Sequence, residues 1–441
     1  MSEIFASPWI PTIATLLLAC GARLLSKSWL APGPFALLIW GTYLVLPLIV
    51  APWYKVSALG VWLILGLVLC TAIGADLGVG KVTVHQSNVR LDAGHAKAML
   101  YWVLFLSLPG LLGGLYWAEK TLNANALDFS VPGLLALGHI LSVERYAGGQ
   151  PPLIARTLVI WVYPAVLLAG MTAAIVRSRR DRILCSFSLI PSILLSALQA
   201  ARANTLISVV LGLSGYLAMK AFLGGSPQRL LSRRAMIVMA TSVIAGVSFF
   251  LAVDTLRSHD QEDQEIQVDA DWGRVRSAMV GYLAVFGHWA SSPEGPGTFR
   301  PKWGAYTFGG PLEAVGLHTR LTGVFAVPVS LEDGESNIHT AFRGLIEDFT
   351  LPGAAVCCFV VGVLSGWAYR NALLGRESWT LALAAFYAFF FWSPIISIFN
   401  YNGPILALLV CMLALKKVRA SVGPASAPDA LSVPGLRAAR W

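Results

Sequence analysis

The sequence predicts an all-α, polytopic membrane protein, and three observations carry that expectation. Apolar residues fill 56% of the 441 positions, while Asp, Glu, Lys and Arg together make up only 12%. Mean hydropathy is +0.68, and a soluble domain would carry about 25% charged residues. The apolar residues come in runs of the length, ~20 residues, that crosses ~30 Å of hydrocarbon as a helix. A net charge of +9 does not imply nucleic-acid binding here, because in a membrane protein the location of basic residues matters more than their sum.

Eleven spans are read in order: 8–24, 34–52, 57–76, 98–117, 154–176, 183–200, 204–223, 235–254, 352–370, 379–397 and 403–416. No basic stretch precedes the first, so no cleaved signal peptide is expected. The apolar run from Ile183 to Leu223 would be ~60 Å long as one helix. It must fold back, and Gln199–Asn204 is its polar break, which places Arg202 at the membrane mouth. Two further runs, Phe129–Val143 and Met279–Ala290, are too short to span and suit re-entrant or interfacial helices. They either pack beneath the polar loops or line a lipid groove. Residues 420–441, rich in Ala, Pro, Ser and Gly, read as a disordered tail.

Basic residues give the orientation. Arg177, Arg179, Arg180 and Arg182 follow the fifth span, Arg229, Arg233 and Arg234 the seventh, Arg370 and Arg376 the ninth, and Lys416, Lys417 and Arg419 the last. By the positive-inside rule these ends are cytoplasmic. The N-terminus is then outside, with outside loops at about 118–153 and 255–351. Acidic residues concentrate in those loops. Cys20, Cys70, Cys185, Cys357, Cys358 and Cys411 all fall in spans, so neither disulfides nor a zinc site is expected.

Familiar motifs for soluble chemistry are missing: there is no P-loop, GxGxxG or GxSxG. Asp269-Ala-Asp271 resembles a metal-binding DxD but sits in an acidic outside loop and reads as solvated charge. His85 and His95 lack metal-ligand spacing.

The most informative stretch is 337–349. Ile338, Ala341, Phe342, Leu345, Ile346 and Phe349 make one face of a helix, which Ser336 or Asn337 could cap and Pro352-Gly353 would end. His339, Arg343 and Glu347 recur at i, i+4 and i+8 on the opposite, wet face, with Asp348 beside them. Such a face is either an interfacial ion-pair ladder or a site. In a site, Arg343 is an anion clamp whose planar fork matches phosphate oxygens, and His339, Glu347 or Asp348 is a general base. Ahead of it, residues 291–335 are dense in Gly, Pro and aromatics. Arg300, Trp303, Tyr306, Phe308 and Arg320 stand out there, a composition suited to binding sugar rings or to an ordered lid.

Asn337-Ile-His-Thr-Ala-Phe-Arg343 followed by Glu347-Asp-Phe-Thr-Leu-Pro-Gly353 resembles the stretch before a late span in Wzy-type oligosaccharide repeat-unit polymerases. Where many of those read Asp-Phe-Gly, this chain has Asp348-Phe349-Thr350. Ala201-Arg202-Ala-Asn-Thr-Leu-Ile-Ser is similar to them as well, as is the plan of many spans with a large outside loop before the last three. The resemblance implies a GT-C-like glycosyltransferase of the bacterial inner membrane that works without metal or other cofactor. It would move a growing saccharide from undecaprenyl diphosphate onto a new lipid-linked repeat unit. A chain-length-regulating copolymerase would be a natural partner, and nucleic acid would not. Arg343 would face the leaving diphosphate, with Arg202 and Arg300 as partners. Trp303, Tyr306, Arg320 and Asn337 complete the expected substrate contacts. Alternatives are an O-antigen ligase, which shares the donor, and a lipid-linked-oligosaccharide flippase or other transporter. A transporter would place ionisable groups at mid-membrane, whereas here they cluster at span ends.

Overall fold

The computed structural model describes residues 7–80, 91, 93–122, 152–198, 202–224, 268–293, 295–296, 300–318, 325, 328–332 and 334–422. The predicted span 235–254, the short run 129–143, His85, Arg320 and the tail beyond Val422 lie outside the described residues. So do the side chains of Asp269 and Asp271.

The chain is built from helices, numbered here in order: α1 Trp9–Ser26, α2 Pro32–Val50, α3 Ala58–Val79, α4 Ala93–Leu122, α5 Leu153–Val159, α6 Val162–Ile175, α7 Arg179–Ser186, α8 Ile190–Leu198 and α9 Arg202–Phe222. After the large loop begins come α10 Val268–Val280, α11 Tyr282–Ser291 and α12 Gly309–Ala314. A small antiparallel hairpin, β1 Val329–Leu331 with β2 Gly334–Ser336, precedes α13 Ala341–Leu373, α14 Trp379–Trp392 and α15 Asn402–Val422. Among the described residues seven helical segments are long and apolar enough to cross a membrane: Trp9–Ser26, Pro32–Val50, Ala58–Val79, Ala93–Lys120, Leu153–Ile175, Ala203–Phe222 and Ala341–Leu373. This is the architecture of a multi-pass membrane protein.

Several expected elements are reshaped, each for a local reason. Residues 154–176 form two helices, α5 and α6, that meet at Ile160–Trp161. The stretch 183–200 becomes α7 and α8 joined by a 3₁₀ turn at Phe187–Leu189. Pro191, in the first turn of α8, suits a fresh helix start better than a continuing helix. α14 stops at Trp392 instead of reaching 397: Pro394 has no N–H to bond the Phe390 carbonyl, which accepts from the Ser393 hydroxyl instead. α15 extends past 416 to Val422, where Lys416, Lys417 and Arg419 suit the negative end of the helix dipole.

Glycines set how the bundle closes. Gly74 and Gly78 of α3 lie against the carbonyls of Phe359 and Val363, while Gly362 and Gly366 of α13 lie against those of Thr71 and Ala75. A Cβ at any of the four would collide with a backbone oxygen. Two small-xxx-small stripes therefore let the parallel helices α3 and α13 touch backbone to backbone. Gly170 of α6 meets Gly212 of α9 in the same way.

The bundle has two chemically different ends. Ser57 at the start of α3, Ser291 at the end of α11 and Ala341 at the start of α13 share one end: Ser57 Oγ is 2.9 Å from Ser291 Oγ. The Ala341 amide donates to the Ser393 carbonyl, and Trp40 Nε1 donates to Ser393 Oγ. At the far end, His95 on the first turn of α4 sits 2.9 Å from Glu377, just before α14.

Candidate functional site

The sequence placed His339, Arg343 and Glu347 on one helix, and the structure brings the three together by a different route. The helix begins at Ala341, with Thr340 as its N-cap residue, so 337–340 are not helical. Ser336 does not cap the helix, since its hydroxyl accepts from the Ile338 amide. His339 reaches Arg343 from the extended chain ahead of the helix. Arg343 Nη1 lies 2.8–2.9 Å from the imidazole nitrogens, and Nε donates to Glu347 Oε1 at 2.7 Å.

Nor is this face wet. His339 is 1% exposed, Glu347 5% and Asp348 0%. The reason is the 302–307 loop together with Phe325, which sequence periodicity could not fold onto the helix. The Lys302 and Trp303 amides donate to the carbonyls of Glu347 and Asp348, each at 3.1 Å. Asp348 itself turns away from the cluster. Its carboxylate accepts from the amides of Tyr306 and Thr307 and from the Thr307 hydroxyl, at 3.1, 2.7 and 2.6 Å. Those bonds make it the anchor of the 302–307 loop, with its oxygens already engaged.

Two aromatic faces wall the guanidinium of Arg343. It stands 4.0 Å from the Phe325 ring centre and 5.2 Å from that of Trp289. Phe325 in turn stacks on Tyr306 at 5.1 Å and leans on His339 at 4.6 Å. Lys302 completes the cluster: its Nζ is 3.6 Å from Glu347 Oε2 and 2.5 Å from the Tyr306 hydroxyl. Glu347 thus bridges two cations, Arg343 and Lys302. The Lys302 side chain is 42% exposed and that of Arg343 19%, so both reach the surface while their counter-ion is sealed in.

Burial, the Arg343 cation and, more weakly, His288 push the His339 pKa down to about 3. His339 is therefore neutral at physiological pH and serves Arg343 as an acceptor. Burial lowers the Lys302 pKa, but its bond to Tyr306 and the Glu347 charge outweigh that, so it is raised overall and Lys302 stays charged. Burial raises the Tyr306 hydroxyl, partly offset by Lys302.

The remaining expected contacts are less central. Trp303 is beside the cluster, 75% exposed and at φ 50°, a backbone conformation uncommon for a bulky residue. Arg300 and Asn337 are on the surface. Arg202 opens α9, and its side chain lies outside what the structure describes. Lys302, Trp289, Phe325 and His288 were not anticipated, since no periodicity links them to 339–347. Among the described residues no three His, Cys, Asp or Glu side chains gather as a metal site requires.

Fold and cluster together define a multi-pass membrane protein with a cation-rich, aromatic-walled cluster at one end of its bundle. No family model, curated protein or solved structure matches the chain.

Proposed function

We propose that the chain polymerises lipid-linked oligosaccharide repeat units at the periplasmic face of a bacterial inner membrane. On this reading it has about eleven spans in a GT-C-like arrangement, with the N-terminus outside and the C-terminus cytoplasmic. The observation that carries the reading is Arg343, caged by Phe325 and Trp289, tethered by Glu347 and still partly exposed beside Lys302. Such a pre-organised pair of cations suits a leaving diphosphate in a low-dielectric mouth. A second support is the backbone at Thr350, with φ 64° and ψ 170°. That conformation is almost restricted to glycine, and it falls where the resembled polymerases carry Gly.

In the reaction, a hydroxyl of the incoming lipid-linked unit attacks the anomeric carbon of the donor chain. The new C–O bond forms as the bond to the phosphate oxygen breaks. Undecaprenyl diphosphate leaves with the electron pair, stabilised by Arg343 and Lys302. The hydroxyl proton passes to His339 or Glu347, Asp348 being committed to the loop. A single displacement inverts the anomeric centre.

Deleting the gene tests the reading. Single repeat units should accumulate on the outer leaflet, made and flipped but not joined. Full-length polymer held on undecaprenyl diphosphate would instead identify a ligase, and units retained on the cytoplasmic leaflet a flippase.

A further inference from the structure

A second feature lies beside the Arg343 cluster. A cavity of about 600 Å³ opens between the α2–α3 loop and the end of α11, lined by Lys55, Val56, Ser57, Gly287, His288, Ser291, Ser292 and Pro293. Its walls are held by close backbone contact. A Cβ at Gly60 would come 2.9 Å from Gly287 Cα, and one at Gly287 would come 3.0 Å from the Ser57 amide. Val280 and Ala284 pack with Ala51 and Tyr54 beneath the loop that carries Lys55. These contacts hold the start of α3 directly against α11.

The one formally charged residue in its lining is a cation, Lys55. Lys55 and His288 are exposed, and no carboxylate is among the lining residues. The hydroxyls of Ser57 and Ser291 lie 2.9 Å apart, and that of Ser292 donates to the Trp289 carbonyl. Lys55, the His288 imidazole and the one O–H that the Ser57–Ser291 pair leaves over line the space, donors of the kind that bind phosphate oxygens. His288 also couples this cavity to the other site, since its charge acts on His339 while its neighbour Trp289 walls Arg343.

We propose that this cavity is a second anion site, taking a lipid phosphate or diphosphate headgroup independently of Arg343. The site stands on its own geometry. Its role rests on the polymerase reading: transfer between two lipid-linked partners must seat two diphosphates at once, and the Arg343 cluster accounts for one.

The test counts equivalents. The full chain in phosphatidylcholine nanodiscs is titrated with farnesyl diphosphate, and bound ligand is counted by native mass spectrometry. Wild type should bind two. Lys55→Gln combined with His288→Gln should keep one, its affinity for the other falling about tenfold or more, as for a lost charge-assisted bond. Arg343→Ala should lose the other equivalent instead. Lys55→Arg, which keeps the charge, should retain both and guards against misfolding. Repeating the titration in phosphatidylglycerol nanodiscs separates the sources: competition there identifies a phospholipid headgroup, and its absence a lipid diphosphate. A double variant that still binds two equivalents at unchanged affinity, or a wild type that binds only the Arg343-dependent one, overturns the proposal. Repeat units still joined into polymer after the gene is deleted would remove the polymerase reading and leave the count at this cavity untouched.

Discussion

The two halves of α13 solve opposite problems on one continuous stretch of chain. Beyond Pro352 the helix packs by subtraction, with Gly362 and Gly366 giving up side chains so that carbonyls of α3 can approach. Before Thr350 it packs by addition. Arg343 and Glu347 are ordinarily surface residues, yet Glu347 is buried and Arg343 walled in by Trp289 of α11 and by Phe325, Tyr306 and Lys302. The break at Thr350 lets each half follow its own rule. In hydrocarbon no hydrophobic force holds helices together, so close packing must. At the membrane mouth buried charge must be paired. The comparison locates close backbone packing in the glycine seam and paired charge in the ion cluster.

Breaking the seam should have the largest effect. Gly362→Leu or Gly366→Leu places a side chain into a backbone oxygen, at a cost of at least about 3 kcal/mol. Little folded protein should reach the membrane. Gly66, on the same helix as Gly74, has open space beyond its Cα, so Gly66→Leu should accumulate normally. Membrane protein level and thermal unfolding in detergent compare the three. Equal stability would mean that α3 and α13 are not in backbone contact.

Removing the clamp should spare the fold and strike activity. One lost electrostatic contact to a developing charge costs about 10²–10³-fold in rate, and Lys lacks the planar fork that Nε–Glu347 and Nη1–His339 both use. Arg343→Ala and Arg343→Lys should both nearly abolish polymer at normal expression. A surface ion pair, worth ~0–1 kcal/mol, would survive the Lys change, so wild-type polymer from Arg343→Lys would reduce the cluster to a structural tie.

Asp348→Asn should act through the loop. The amide would turn an NH₂ toward donors that now meet a carboxylate oxygen, and leaving one unsatisfied costs about 1–3 kcal/mol. The 302–307 segment should become protease-sensitive and kcat should fall less than for Arg343→Ala, because the substitution displaces Lys302 without touching Arg343. If kcat alone collapsed, Asp348 would be a base after all.

The acid response sharpens the same contrast. An unfolded histidine titrates near 6.5, while His339 in the folded chain titrates at about 3. Between those values the unfolded state binds more protons, so this residue's effect leaves stability whole above pH 6.5 and erodes it as pH falls toward 3. Above pH 5 the folded His339 remains neutral. The pH–rate profile should therefore show no inflection near 6.5 that His339→Gln removes, and such an inflection would place His339 in water.

What the sequence made legible follows from range. Seven of the spans and the i, i+4 pairing of Arg343 with Glu347 are local, and hydropathy and periodicity expose them, whereas the stop expected at Pro352-Gly353 is a break at Thr350 inside one helix. The glycine stripes were equally local, Gly74-x₃-Gly78 and Gly362-x₃-Gly366, and a search for small-xxx-small spacing would have found the seam. The burial of His339 and Glu347 was not legible. It depends on a loop some 40 residues upstream whose Gly- and Pro-rich composition carries no period. Asp348 misled for the same reason, since adjacency on a helix says nothing of which neighbour a carboxylate turns to.

The smallest expected effect lies at the joint between the two halves. Thr350 holds φ 64° and ψ 170°, a region where a β-carbon costs of order 1–3 kcal/mol. Thr350→Gly removes that strain but adds freedom to the unfolded chain, worth about 0.5–1 kcal/mol in the other direction. The balance is a gain of up to about 2 kcal/mol, read as a modest rise in thermal midpoint with polymer unchanged. Thr350→Ala keeps the β-carbon and should gain nothing, which separates backbone relief from loss of the hydroxyl. A drop in stability for the glycine variant would mean that the joint is held by the threonine side chain, and the two halves of α13 would then be coupled through it.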